Sequence, residues 1–266
     1  MSLVSLAALA ARIPSGATIA VPADYGGVAM AATERLLAGE VRNLHLVCVP
    51  TGGLQVDVLI GAGRVGVVET SAVSLGEAGA APCFGRAVRD GSIRIRDATC
   101  PAILAGLAAA EKGVPFMPIR GLIGTDVLRQ RGDWKVIQNP FGDDPIVVVP
   151  AIRPDIALFH APEADEEGNV RIGRRRELAL MAHASATSLV TVERVRKGSF
   201  FDDERSAAGV LPALYVGAIA EAPGGARPYG LWGEYGADAD ALAEYGRAAR
   251  TPEGFRDWLA RHRVAA

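Results

Sequence analysis

Apolar and polar positions fall in short alternating blocks along this chain. Residues 19–21 form a brief apolar run entered through the turn Pro14-Ser-Gly16, and they read as a buried strand. Residues 28–37 carry apolar side chains at helical spacing and stop before Gly39, a residue type that ends helices. Residues 44–49 make a second strand, closed by Pro50-Thr-Gly-Gly53. Residues 56–60 continue as a short apolar element before Gly61-Ala-Gly63, and residues 65–69 make a third strand. Strand, glycine turn, helix, strand is the rhythm of a parallel sheet with helices on its faces.

Further on, residues 82–88 and 101–110 read as helices, with an alternating stretch at 93–96 as a short edge strand between them. Residues 114–117 are a brief strand, and 146–150 and 156–160 are two more, separated by Arg153-Pro-Asp155. An acidic turn at 164–169 precedes residues 170–172; a helix at 178–184 and a β-branched strand at 186–192 follow. From residue 222 the pattern changes. Glycine and proline loops give way to the aromatic stretch 229–235 and an alanine-rich helix over 238–249. A last amphipathic helix follows, with Phe255, Trp258 and Leu259 on one face. Residues 1–221 are therefore expected as an α/β body and residues 222–266 as a loop-and-helix extension.

Composition narrows the function classes. The 266 residues are half hydrophobic but only 6% aromatic, a mixture suited to helices close-packed on a sheet. A net charge of -2 leaves no electrostatic footprint for nucleic acid or an anionic membrane. Cys48, Cys83 and Cys100 are odd in number and form no CxxC pair, and His45, His160, His183 and His262 show no ligand spacing, so no metal site is expected. The first residues lack a basic leader, and no stretch approaches the roughly 18 apolar residues of a membrane span. A cytoplasmic location is the expectation.

Candidate chemistry centres on residues 61–84. There a strand runs into small residues, Ser74, Gly76, Ala78 and Gly79, around the carboxylate of Glu77. Such an acid is either solvated on a surface loop or within reach of a ligand, because glycines let backbone approach closely. Gly26-Gly27, Gly52-Gly53 and Gly76-x-x-Gly79 all follow strands, as in a ligand crevice or in ordinary tight connections. None makes a GxGxxG fingerprint, and both the P-loop and GxSxG patterns are missing. His160 ends an apolar strand, as a structural group or as a second member of the same edge. Arg120 lies in a glycine turn with Thr125 and Asp126, where it clamps a ligand carboxylate or pairs with an acid. The cluster Arg171, Arg174, Arg175 and Arg176 is a solvated face or meets the phosphates of a large anion.

Three stretches together carry a resemblance: Pro50-Thr-Gly-Gly-Leu-Gln-Val-Asp-Val-Leu-Ile-Gly-Ala-Gly63, Val114-Pro-Phe-Met-Pro-Ile-Arg-Gly-Leu-Ile-Gly-Thr-Asp126 and Ile156-Ala-Leu-Phe-His-Ala-Pro-Glu-Ala-Asp-Glu-Glu-Gly-Asn169. With the Trp-Gly-Glu-Tyr segment and the final Glu-Gly-Phe-Arg-Asp-Trp, they resemble the A (alpha) subunit of family I coenzyme A transferases, in the glutaconate CoA-transferase-like branch.

The resemblance implies an open α/β fold whose mostly parallel sheet is flanked by helices, with a helical C-terminal extension. It implies an acyl-CoA and a carboxylic acid as substrates and no permanently bound cofactor. The implied partner is a B subunit, in a heterotetramer, whose glutamate forms the glutamyl-CoA intermediate. This chain would then supply binding groups, with Gly26, Gly27, Gly52, Gly53, Gly76 and Arg120 as substrate- and CoA-binding residues and Glu77 as the candidate catalytic acid. Val21-Pro-Ala-Asp24 stands where family members commonly carry Gly-Gly-Phe. A related branch opens steroid rings on CoA thioesters with an A-subunit glutamate, a role Glu77 matches as general base. A non-catalytic structural subunit is the remaining alternative.

Overall fold

The computed structural model describes residues 3–262. In chain order the first half contains α1 (Leu6–Ala10), β1 (Thr18–Pro22), α2 (Met30–Ala38), β2 (Leu44–Val49), α3 (Leu54–Gly61), β3 (Val65–Thr70), α4 (Pro82–Asp90), β4 (Arg94–Asp97) and α5 (Cys100–Glu111). Local chemistry sets the boundaries. Proline in the first turn starts both α4 and α5, where its missing N–H costs nothing. Gly91, at φ 62°, ends α4 in the left-handed conformation that glycine adopts without strain.

Then come β5 (Phe116–Ile119), α6 (Asp126–Gln130), β6 (Lys135–Gln138), β7 (Pro145–Pro150), β8 (Ile156–Asp165), β9 (Val170–Arg171), α7 (Arg176–Ala184) and β10 (Thr187–Arg196). The chain finishes with α8 (Glu204–Ala207), β11 (Val210–Leu211), β12 (Val216–Glu221), α9 (Ala239–Ala248) and α10 (Pro252–His262).

The main sheet has nine strands, and its parallel core runs β4-β3-β2-β1-β8-β10-β12. The order grows outward in both directions from the β1–β8 pair, which makes that pair the switch point where ligand crevices form in open α/β sheets. β1 and β8 pair only through Ile19 with Ile156 and Ala20 with Ala157. Beyond that they part, and the loop after β1 enters the gap: the His160 N–H donates to the Gly27 carbonyl at 2.7 Å. Antiparallel β9 and β11 extend the outer half of β8, and β5-β7-β6 form a separate small antiparallel sheet.

Alternation along the strands divides the core between two faces. On β2, Leu44, Leu46 and Cys48 join one cluster, with α1 to α4, while Val47 and Val49 join the other, with α5, α7 and the small sheet. The C-terminal helices belong to the first cluster: Phe255 and Trp258 each pack edge to face on Tyr245, with ring centroids 6.5 and 4.8 Å away. The Tyr245 hydroxyl donates at 2.6 Å to buried Asp57, which also accepts the N–H groups of Cys83 and Phe84 at the start of α4. One carboxylate thus ties α3, α4 and α9 together.

The residues read as a short apolar element, 56–60, are the interior of α3. Every residue of that helix but Gly61 is buried, so no polar face marks its period. Three strands, β6, β11 and β12, had no counterpart in the sequence reading. β6 is exposed at all four positions, and β12 holds Gly217 among small residues.

Candidate functional site

The C-terminal ends of β1, β3 and β12 open onto one cleft of about 1040 Å³. The loop after β1 contributes Asp24 and Tyr25, the turn after β3 contributes Leu75 to Ala78, and the segment after β12 contributes Tyr229 to Tyr235. Arg175, Asp240 and Leu242 also line it. The cleft is therefore built by the parallel sheet's carboxyl edge and closed on one side by the aromatic tail.

Glu77 lies on this cleft, exposed, in a single 3-10 turn over Gly76–Ala78. Gly76 at φ 61° and Gly79 at φ 103° bracket it in conformations that favour glycine. Its carboxylate makes no hydrogen bond or ion pair with any described residue. Gly76 lines the cleft beside it. Gly27 and Gly53 act from behind the wall. A Cβ on Gly27 would stand 2.2 Å from the His160 carbonyl and 3.0 Å from the Trp232 ring, and one on Gly53 would overlap Asp24 and the Tyr229 hydroxyl. Gly26 and Gly52 are packed against Pro22 and Ala23, and against Cys48 and Val56. Arg120 does not line this cleft. It is 76% exposed and pairs with Asp144 at 2.7 Å, because its turn belongs to the small antiparallel sheet.

Asp24 is the residue that sequence reasoning passed over as a mere departure. Tyr229 hydrogen-bonds it, and the Tyr229 hydroxyl accepts the Leu54 N–H at the start of α3. Burial pushes the Asp24 carboxyl up to about 6, with the Tyr229 bond opposing. Burial, with Asp24 nearby, also drives the Tyr229 hydroxyl well above its ordinary range. Among the carboxylates of the cleft, Glu77 is exposed while Asp24 is buried and keeps its proton up to about pH 6. That pairing suits acid–base work near neutral pH.

A second polar chain braces the tail. Buried His160 contacts Thr191 through Nδ1 at 2.8 Å and Glu193 through Nε2 at 2.7 Å. Glu193 also accepts the Tyr235 hydroxyl at 2.7 Å and the Gly224 N–H at 2.8 Å. Burial lowers the His160 pKa against the pull of Glu193, so the imidazole stays neutral. His160 is accordingly a structural group behind the cleft that sets Tyr235 in its wall. Among the described residues no cluster of side chains is arranged to hold a metal ion, and no helix is long and apolar enough to cross a membrane.

Residues 4–222 match the family model described as coenzyme A transferase. The A (alpha) subunit of the 3-oxoadipate CoA-transferase of Pseudomonas knackmussii is 28% identical over 93% of this chain and 88% of its own length. The cholesterol ring-cleaving hydrolase IpdA subunit of Mycobacterium tuberculosis is 30% identical over 94% and 88%. An Archaeoglobus fulgidus protein is 31% identical, but the chain spans only 46% of its length. Among solved structures, the decarboxylase AibA/AibB superposes with a TM-score of 0.86 at 30% identity, covering 98% of both chains. Glutaconate coenzyme A-transferase from Acidaminococcus fermentans gives 0.90 over 99% and 89%, at 24% identity, and so shares the fold.

Proposed function

This chain belongs to the coenzyme A transferase family, and we propose that it is the A-type subunit of an enzyme that moves coenzyme A between an acyl-CoA and a carboxylic acid, acting with a B-type partner. The observation that carries the reading is the unpartnered Glu77 on a large cleft at the sheet's switch-point edge. A carboxylate left without a protein partner in such a place is available to a ligand or to a partner's residue.

In this reading a glutamate of the partner attacks the thioester carbonyl and expels CoA as its thiolate, leaving a mixed anhydride. The thiolate then attacks the glutamyl carbonyl, releasing the donor acid and forming a glutamyl thioester, and the acceptor acid reverses the two steps. This chain binds and orients. Gly76 lets backbone approach the ligand, Gly26, Gly27, Gly52 and Gly53 hold the wall in place, and Glu77 positions the acyl group. Asp24 donates a hydrogen bond from its protonated form below about pH 6 and accepts one above it. The test is to co-express the chain with its B-type partner and follow transfer of CoA from an acyl-CoA to an isotopically labelled acid. Label entering the thioester pool supports transfer; no label in the presence of an intact complex rejects it.

One observation favours a second reading. Exposed Glu77 shares the cleft with Asp24, whose carboxyl is pushed up to about 6 by burial, and relatives at 30% identity are ring-cleaving hydrolase subunits. Glu77 is then the general base that activates water against a CoA thioester bearing a ring ketone, and Asp24 is placed to return the proton. Ring-opened product without label exchange would select this reading over transfer.

A further inference from the structure

The small sheet runs β5-β7-β6, so β6 pairs with β7 on one side and, among the described residues, with no strand on the other. The register fixes which of its backbone groups are already bonded. The Asn139 N–H donates to the Asp144 carbonyl at 3.3 Å, in line with the β6–β7 ladder, so alternation makes Ile137 and Lys135 the residues bonded to Ile146 and Val148. The far edge of β7 agrees: the Ala151 N–H donates to the Pro115 carbonyl, which assigns Val147 and Val149 to β5. The N–H and C=O groups of Val136 and Gln138 therefore point away from the sheet.

The side chains of this edge are apolar where edges are usually guarded. Native edge strands carry charge, proline or a bulge, whereas Val136 and Ile137 occupy the middle of β6 at 51% and 38% exposure. Ile137 shares its face of the sheet with Ile146, Val148, Pro118 and Phe116, and Phe141 in the following loop is 96% exposed. An apolar patch continuous with an unpaired strand edge marks an interaction surface.

The strand's own pattern selects the occupant. Two copies running antiparallel bond through their outward residues, and pairing Val136 with the copy's Gln138 sets Ile137 against its own counterpart on a two-fold axis. A shift in one direction would place Pro140, which has no N–H, opposite Val136. A shift in the other would call on the Trp134 N–H, which is already donated to Arg131. The remaining register also complements charge. It lays Lys135, at the start of β6, against the copy's Asn139 and the loop that carries Asp143 and Asp144, and it opposes no like charges on the strand. Parallel pairing would bring Lys135 to Lys135.

We propose that β6 is a self-association edge: two copies of this chain join their small sheets through antiparallel β6 strands, with Ile137 at the centre. The proposal is independent of the function proposed above. β6 is only four residues long, so the contact is small and its dissociation constant is expected on the order of micromolar.

Sedimentation equilibrium of the 266-residue chain, alone and assembled with its B-type partner, tests this across the micromolar range. Wild type is expected to bring two copies of this chain together. Ile137→Lys sets two ammonium groups face to face and should weaken the association about tenfold or more. Val136→Pro removes an outward N–H and no bond to β7, and should do the same. Ile137→Cys should give a disulfide-linked dimer on mild oxidation, while Gln138→Cys, which lies across from Val136, should not. Wild type, with Cys48, Cys83 and Cys100, is the oxidation control, and circular dichroism of each variant checks the fold. Association unchanged in both Ile137→Lys and Val136→Pro overturns the proposal, as does Ile137→Cys that cross-links no more than wild type. A chain that stays monomeric alone, with one copy per assembly, also overturns it. Variants that lose the B-type partner but keep self-association assign the edge to that partner and overturn it as well.

Discussion

Tyr229 and Asp24 are joined across the mouth of the sheet, the tyrosine arriving from the tail and the aspartate from the loop after β1. The Tyr229 hydroxyl accepts from Leu54, so it donates its own hydrogen to Asp24. This contact fixes the tail's aromatic stretch to the first βα turn and places a proton-holding acid in the cleft. It also requires glycine at position 53, where any side chain would occupy the same space.

Asp24 should make the protein less stable as pH rises. Its folded pKa, about 6, lies above the unfolded value of 3.8, so the folded state keeps the proton longer and stability falls between those two values, then levels. Asp24→Asn should remove this loss and raise stability at pH 7 by about 2 kcal/mol relative to its effect at pH 4. Thermal or urea melts of both proteins across pH 4 to 7 measure it. Parallel curves would contradict the assignment.

Gly27→Ala should be damaging out of proportion to its size. Gly27 adopts φ 89°, and an added methyl meets the backbone carbonyl of His160, which has no alternative position while β8 stays paired. A loss of roughly 2–4 kcal/mol is expected. The damage should be local, seen as faster amide exchange in the loop after β1 and in the Trp232 segment.

Glu69, Arg131 and Arg96 form a buried ionic group that ties β3 to the segment before β6. The Arg131 guanidinium is 2.8 Å and that of Arg96 3.1 Å from opposite Glu69 oxygens, and Asp133 binds both arginines. Burial favours the neutral acid, but His45, Arg131 and Arg96 together hold the Glu69 pKa below its usual value. The stabilisation is therefore complete above pH 4.5 and is lost as pH falls through the lowered folded value. Arg131→Met alone should cost about 3–5 kcal/mol at pH 7 by stranding Glu69, and adding Glu69→Leu should recover much of it. Denaturant titration of the three variants tests the coupling; additive losses would contradict it.

Tyr245→Phe should loosen the tail. It removes one of the donors to Asp57 while leaving the ring edge to face with Trp258, and should cost about 1–3 kcal/mol. Limited proteolysis should then cut first near the start of α9.

Much of this architecture can be read from the chain. The β1, β2 and β3 cores are runs of Val, Ile and Leu between glycine turns, and buried parallel strands have that form because both faces are covered. Glycine-flanked Glu77 does reach a cleft, since the turn after β3 sits at the sheet's carboxyl edge. What stayed hidden depends on distant contacts. Asp24 looks like a loop acid until Tyr229, about two hundred residues later, buries it. Arg175 looks like one of four solvated arginines until Trp232 is laid beneath it. Arg120 has the composition of a ligand clamp, yet its turn is carried off by the small sheet and satisfied by Asp144. β12 escaped because Gly217 and its alanines carry little β signal, and only its place beside β10 makes it a strand.

This chain and a partner are proposed to handle a CoA thioester at the Glu77 cleft. The most direct measurement is to incubate the assembled complex with an acyl-CoA, trap with borohydride or hydroxylamine, and map modified carboxylates on both chains by mass spectrometry, for wild type and Glu77→Gln. A trapped glutamyl-CoA is expected on the partner chain, none on Glu77, with turnover lowered roughly 100-fold or more in Glu77→Gln and assembly intact. No adduct on either chain, together with full activity of Glu77→Gln, would contradict it.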